Sequence, residues 1–327
     1  MTQLSPEDVE QTAGALREAV LSLRGALSKV IVGQRAIQDG LIYGLLAGGH
    51  VLLEGVPGLG KTLLIKALGR ALELSVSRIQ FTPDLLPADI LGTQSLIEGP
   101  EGPSITFKPG PIFAQLVLAD EINRANPRTQ SALLEAMAER QVTYGGETRP
   151  LGPPFFVMAT ENPVDMDGTY PLPEAQADRF VMKLLVEPPS ADDLMDILDV
   201  RPAEGLAAMT PVMTVDELLR FMAHVARVPV ADEVKRLIVD IICKTRPESL
   251  PPNWQSYVQL GASPRGAQAL LAVARARAAC AGRLHVSRED VVASALPVLR
   301  HRVLLNFAAR AEGITGDDVV KSVLGAL

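Results

Sequence analysis

The chain has 327 residues, 47% of them hydrophobic, with 31 Lys and Arg against 38 Asp and Glu for a net charge of −7. That length accommodates two domains and a substantial core. The acidic balance removes any global case for a nucleic-acid or anionic-membrane partner, although a local basic loop could hide inside it.

The opening segment lacks both a basic start and an apolar stretch, so no signal peptide is expected. Residues 41–53 form the longest apolar region, but Gly44, Gly48, Gly49 and His50 interrupt it and it is too short to cross a bilayer. A cytoplasmic protein is the default expectation. Ser5-Pro6-Glu7-Asp8 predicts a capped helix running to about residue 29, followed by Ile31-Val32-Gly33-Gln34 and a second helix over 35–46. Val51-Leu52-Leu53 reads as a buried strand, and residues 63–68 read as a helix.

Between them lies Gly55-Val56-Pro57-Gly58-Leu59-Gly60-Lys61-Thr62, a complete G-x-x-x-x-G-K-[ST] phosphate loop in the required strand-to-helix context. Its glycines let backbone N–H groups turn around nucleotide phosphates, and the helix N-terminus adds unpaired donors, beginning with Lys61, Thr62 and Leu63. Lys61 would reach the β/γ-phosphates, and the Thr62 hydroxyl would ligate Mg²⁺.

Residues 76–81 alternate like a strand, and residues 84–90 read as a short helical turn. Residues 92–111 predict a β-hairpin turning at Gly99-Pro100-Glu101-Gly102. The strand Leu116-Val117-Leu118-Ala119 ends in Asp120-Glu121. In a doubly wound sheet those acids face the phosphates, Asp120 holding hydrated Mg²⁺ and Glu121 polarising the attacking water as general base. A helix over 126–140 and a second hairpin turning at Gly145-Gly146 follow, then the strand 155–159 ending in Thr160-Glu161-Asn162-Pro163. Asn162 could bond the γ-phosphate or the water, or simply form a turn before proline.

Tyr170-Pro171-Leu172-Pro173-Glu174-Ala175-Gln176-Ala177-Asp178-Arg179-Phe180 precedes a last strand over 181–186, and Pro188-Pro189 marks a boundary. Beyond it the chain reads as helices, three of them opened by capping patterns at Ser190, Thr214 and Ser287. Residues 246–262 read as a polar connection leading to Gly261-Ala262-Ser263-Pro264-Arg265 at the head of an Ala-rich helix. Cys243 and Cys280 form no C-x-x-C, and His50, His224, His285 and His301 lack metal-ligand spacing, so packing or surface roles are expected for them.

Together these motifs resemble the AAA+ ATPases and, within them, the MoxR family. The resemblance rests on the phosphate loop, Ala-Asp-Glu-Ile-Asn-Arg, Ala-Thr-Glu-Asn-Pro, the stretch around Tyr-Pro-Leu-Pro-Glu-Ala-Gln, Gly-Ala-Ser-Pro-Arg and Val-Leu-Arg-His-Arg, in family order from about 31 to 303. It implies an α/β fold: an N-terminal helix (1–30), a three-layer parallel-sheet AAA+ domain with two hairpin insertions (31–187), and a smaller all-α lid (188–327). It implies that Asn162 is sensor 1, Arg179 an arginine finger reaching a neighbour's γ-phosphate, and Arg265 sensor 2, in its own subunit or a neighbour's. The segment Ile31-Val32-Gly33-Gln34 would wrap the adenine, with Val32 and Gly33 as its binding residues, and the hairpins would project toward a ring pore. Arg124 and Arg128 are further interface candidates. Glu161 departs from the usual Gln and Ala177 from a larger apolar residue, neither at a proposed catalytic position.

The resemblance further implies ATP and Mg²⁺, a homo-oligomeric ring, hexameric by expectation, and a protein client or adaptor carrying a von Willebrand factor A domain. The alternatives are a nucleic-acid motor, a metal-chelatase subunit and a nucleotide-sensing scaffold. The acidic hairpin turns disfavour the motor, since phosphate neutralisation dominates nucleic-acid binding.

Overall fold

In the computed structural model the described residues are 6–56, 58–99, 102–163 and 170–326; Ser5, Pro57, the Pro100-Glu101 turn and Gly168-Thr169 lie outside them. Helices α1 (Pro6–Ser28) and α2 (Arg35–Leu46) lead into β1 (His50–Glu54), and α3 (Lys61–Ala71) follows the phosphate loop. Then come β2 (Val76–Gln80), α4 (Pro87–Leu91), the hairpin β3 (Gly92–Gly99) and β4 (Gly102–Pro109), β5 (Leu116–Asp120) and α5 (Pro127–Glu139). A second hairpin, β6 (Gln141–Tyr144) and β7 (Glu147–Pro150), precedes β8 (Phe156–Glu161), α6 (Glu174–Ala177) and β9 (Phe180–Leu185).

The apolar runs become the middle of the sheet because each can bury both faces: Val51, Leu52, Leu53, Val117, Leu118, Val157 and Met158 are at most 1% exposed. Five strands lie in the order β2-β5-β8-β1-β9, and every neighbouring pair is parallel. All carboxyl ends therefore share one edge, the place where a doubly wound sheet presents its ligand groups. One side of the sheet packs on α1, α2, α3 and the helical region, the other on α4 and α5.

The two hairpins are not independent arms. The Phe107 ring lies 6.0 Å from that of Tyr144, and the Arg149 guanidinium sits 4.0 Å above Phe107. A Cβ on Gly145, at the second turn, would come within 2.4 Å of the Gln94 amide on β3, so side-chain-free backbone lets the first hairpin lean there.

The C-terminal region runs through α7 (Ala191–Asp199), α8 (Pro202–Ala208), α9 (Val215–Val225), α10 (Asp232–Lys244), α11 (Pro252–Gln255), β10 (Val258–Leu260), α12 (Pro264–Cys280), α13 (Arg288–Leu299), β11 (Leu304–Leu305), α14 (Phe307–Ala311) and α15 (Gly316–Gly325). Capping boxes at Ser190, Thr214 and Ser287 start α7, α9 and α13. This lid is helical, as expected, with one short two-stranded ladder added among the described residues. Within the stretch read as a polar connection, β10 pairs antiparallel with the distant β11, Val258 opposite Leu305 and Leu260 opposite Leu304, closing a short ladder beside the α12 N-terminus. No helix among the described residues is long and apolar enough to cross a membrane.

Arg302 joins the lid to the sheet. It is 5% exposed and donates to the Asp178 carboxylate (2.6 Å) and to the carbonyls of Asp178 (3.0 Å), Phe180 (2.6 Å), Val181 (3.2 Å) and Val298 (2.5 Å). Every donor direction of the fork finds an oxygen, which is what allows a guanidinium to be buried.

His50 shows the same accounting in a titratable core residue. Its Nδ1 accepts from Val157 N–H at 3.0 Å and its Nε2 lies 3.3 Å from the Met137 carbonyl, so the neutral Nε2–H tautomer satisfies both. Burial pulls its pKa down to about 4. Because the folded value lies below the unfolded 6.5, the stability linked to this group is complete above pH 6.5 and is lost as pH falls toward 4. The loss expected over that window is roughly 3 kcal/mol. Urea unfolding against pH is expected to show this slope in the native chain and to lose it in His50→Gln, which keeps a donor and an acceptor but does not titrate.

Candidate functional site

The loop after β1 is shaped by glycine where other residues would be strained. Gly58 and Gly60 have φ of 87° and 74°, and added Cβ atoms would meet nothing within 4 Å among the described residues. Gly60 is the N-cap of α3 and makes no side-chain cap, which leaves the first-turn N–H groups of Lys61, Thr62 and Leu63 without that partner. Gly55 continues the sheet, its N–H donating to Glu161 O at 3.1 Å. Lys61 Nζ folds back onto the Gly55 carbonyl at 2.5 Å. Burial lowers the Lys61 pKa, and the charges of Asp120, Glu121 and Glu54 oppose that shift.

Asp120 and Glu121 follow β5 on the same edge. Thr160, 1% exposed at the end of β8, donates to Asp120 Oδ1 at 2.7 Å and accepts from Glu121 N–H at 2.8 Å. One hydroxyl thus fixes both acids. Arg78 pairs with Asp120 Oδ2 at 2.7 Å. Glu121 itself occupies the left-handed region at φ 58°, a sparsely populated conformation for a residue with a Cβ. Its Oε2 accepts from Gln80 at 3.1 Å and Arg124 at 3.0 Å. Among the described residues Oε1 has no hydrogen-bond partner. Asn162, 6% exposed, follows β8 at the same edge, and its carbonyl accepts from Asn123 Nδ2 at 3.5 Å. Glu161 turns away from this group and shares Lys183 with Glu54.

The two remaining arginines lie elsewhere. Phe180 pairs with His50 at the amino end of the ladder, whereas the phosphate loop leaves from Glu54 at the carboxyl end. Five residues of strand at about 3.3 Å each put Arg179 roughly 16 Å from its own loop. Its guanidinium donates to the Leu134 carbonyl on α5. Arg265 belongs to the same end: Ser263 Oγ accepts from Arg265 N–H at 3.1 Å and donates to Asp178 Oδ2 at 3.0 Å. Arg128 is exposed on the first turn of α5.

Comparison with known proteins places this arrangement. Residues 50–182 match the family described as ATPase family associated with various cellular activities (AAA), and residues 254–323 match the AAA lid domain. The chain is 42% identical to Chaperone MoxR1 of Mycobacterium tuberculosis, over 91% of this chain and 79% of that protein. It is 33% identical to Protein MoxR of Paracoccus denitrificans, over 86% and 87% of the two chains. The chain belongs to the MoxR family of AAA+ ATPases. A solved structure from Cytophaga hutchinsonii superposes on this MoxR-family chain with a TM-score of 0.89 and 36% identity, covering 98% of each.

Motif reading of this MoxR-family sequence gave no role to three residues that shape the site: Arg78, Gln80 and Thr160. Gln34, at φ 50° before α2, donates from Nε2 to Leu59 O at 3.1 Å and so ties the Val32-Gly33 segment to the phosphate loop. Gly33 also leaves room for α7, since a Cβ there would lie 2.7 Å from Asp193 Oδ1. Beside it a cavity of about 410 Å³ is lined by Ile31, Val32, Gly33, Arg35, Asp196 and Val200.

The donor set suits Mg²⁺. Thr62 and Asp120 supply hard oxygens, and among the described residues there is no cluster of three His, Cys, Asp or Glu. Mg²⁺ takes few protein ligands and completes its shell with phosphate oxygens and water.

Proposed function

We propose that this protein hydrolyses ATP in a homo-oligomeric ring, hexameric by family expectation, and uses the cycle to remodel or mature protein clients. The observation that carries the reading is the split between the two edges of the sheet: the phosphate loop, Asp120, Glu121 and Asn162 stand at one, Arg179 and Arg265 at the other. A single protomer then holds the binding half of one site and the arginine half of another.

In this reading the Gly55, Gly58, Leu59 and Gly60 backbone and the first-turn donors of α3 cradle the phosphates, while Val32 and Gly33 border the base in the adjoining cavity. Lys61 leaves the Gly55 carbonyl for the β/γ-phosphates. Mg²⁺, held by Thr62 and through water by Asp120, would neutralise charge between the β- and γ-oxygens. Glu121 accepts the proton of the attacking water, and Asn162 orients it. Arg179 and Arg265 of the adjoining protomer meet charge developing on the γ-oxygens.

A protein client is favoured over nucleic acid by the first hairpin. Leu96 and Ile105 are cross-strand partners, 69% and 71% exposed, and present apolar surface where a phosphate-binding arm would carry cations. A partner with a von Willebrand factor A domain and a cytoplasmic setting complete the proposal. The test is hydrolysis against protein concentration, with assembly followed by native mass spectrometry. Specific activity is expected to rise as rings form; equal turnover by isolated monomers would overturn the reading.

A further inference from the structure

The segment that carries Arg179 is strapped along α5 by successive bonds. Tyr170 N–H donates to the Asn123 carbonyl at 2.7 Å, and Gln130 Nε2 donates to the Tyr170 carbonyl at 2.8 Å. Gln176 Nε2 then reaches Ser131 Oγ at 3.3 Å, and Arg179 ends on the Leu134 carbonyl. Positions 130, 131 and 134 share one side of the helix, so order along α5 follows order along the segment.

Gln130 is fully buried, and its amide nitrogen also faces the carbonyls of Ile122 and Ala125, each at 3.1 Å. Three carbonyls fix the orientation of the amide, and among the described residues Oε1 is buried without a donor. Asn123 is likewise buried, its Oδ1 without a partner among the described residues, while its Nδ2 touches the Asn162 carbonyl. An unmade bond inside a protein is unfavourable, so both residues sit here at a cost that apolar packing would avoid. What they accomplish in return is placement, from Asn162 at one edge of the sheet to Arg179 at the other.

We propose that Gln130, with Asn123, is a positioning residue that sets Arg179 for the neighbouring protomer's nucleotide. This rests on the reading of Arg179 given above. It assigns to the α5 face a link between the nucleotide a protomer holds and the arginine it offers.

The test uses the full-length chain with Gln130→Met, which keeps the length and removes the donors. Turnover by rings of this variant alone is expected to fall about 10- to 100-fold, the scale of a small misplacement of a reacting group. ATP affinity in the presence of Mg²⁺ is expected to stay within twofold. Mixing it with Lys61→Ala subunits is expected to restore activity, because the variant's intact loop then receives a correctly held arginine. A mixture of Arg179→Ala with Lys61→Ala is the reference. Should the reference recover while the Gln130→Met mixture does not, the defect lies in the variant's own site and the positioning role is overturned. Should the reference also fail, the reading of Arg179 falls and this proposal with it. Ser131→Ala, at an exposed position, removes the next bond without endangering the fold; it is expected to give a smaller loss with the same recovery, and unchanged turnover in both variants would refute the link.

Discussion

Glu121→Gln is expected to bind ATP with Mg²⁺ as the native chain does and to lose turnover by about 10²- to 10⁴-fold, the usual worth of a positioned general base. The geometry makes this substitution clean. Both bonds to the carboxylate fall on Oε2, from Gln80 and Arg124, and a glutamine carbonyl can accept the same two. The left-handed backbone and the bond from Glu121 N–H to Thr160 are untouched by the change. What disappears is a basic oxygen for a proton. Equilibrium binding beside single-turnover hydrolysis separates the two quantities, and full hydrolysis by the variant would remove Glu121 from the role of base.

The second large effect is a recovery between two inactive proteins. Arg179→Ala and Lys61→Ala are each expected to be nearly inactive alone, the arginine at that charge being worth about 10³ to 10⁵ in rate. Mixed rings place an intact loop from one variant against an intact arginine from the other. Roughly 16 Å of strand separates the two positions within a chain, so in the proposed ring the arginine for each loop is supplied by the adjoining protomer. Activity in the mixture, with mixed assembly verified by mass, is the expected result; silence in verified mixtures would count decisively against an arginine shared between protomers.

The parts of this architecture legible in the chain were those written in contiguous residues. Val51-Leu52-Leu53, Leu116-Val117-Leu118-Ala119 and Phe155-Phe156-Val157-Met158-Ala159 announce strands because a strand buried on both faces needs an unbroken apolar run. The hairpins announced themselves by paired runs around glycine turns. Hidden were contacts that exist only once strand order is set. Thr160 meets Asp120 because β8 lies beside β5, and Arg78 meets the same acid because β2 flanks it on the other side. Neither pair is close in sequence. The β10–β11 ladder was invisible for another reason: strands of three and two residues are too short for periodicity to register. The resemblance left open whose nucleotide Arg265 serves. Its bond through Ser263 to Asp178 sets it beside Arg179, the observation that supports giving both arginines the same neighbour.

Arg302 has a mechanical corollary. Its buried fork clamps the start of β9 to the turn after α13, and charged hydrogen bonds of this kind are worth about 1.5–3 kcal/mol each. Within a protomer, any opening along that seam has to break these bonds together. A tug on β9 is therefore passed straight to the end of α13, and Arg302→Met is expected to loosen that coupling.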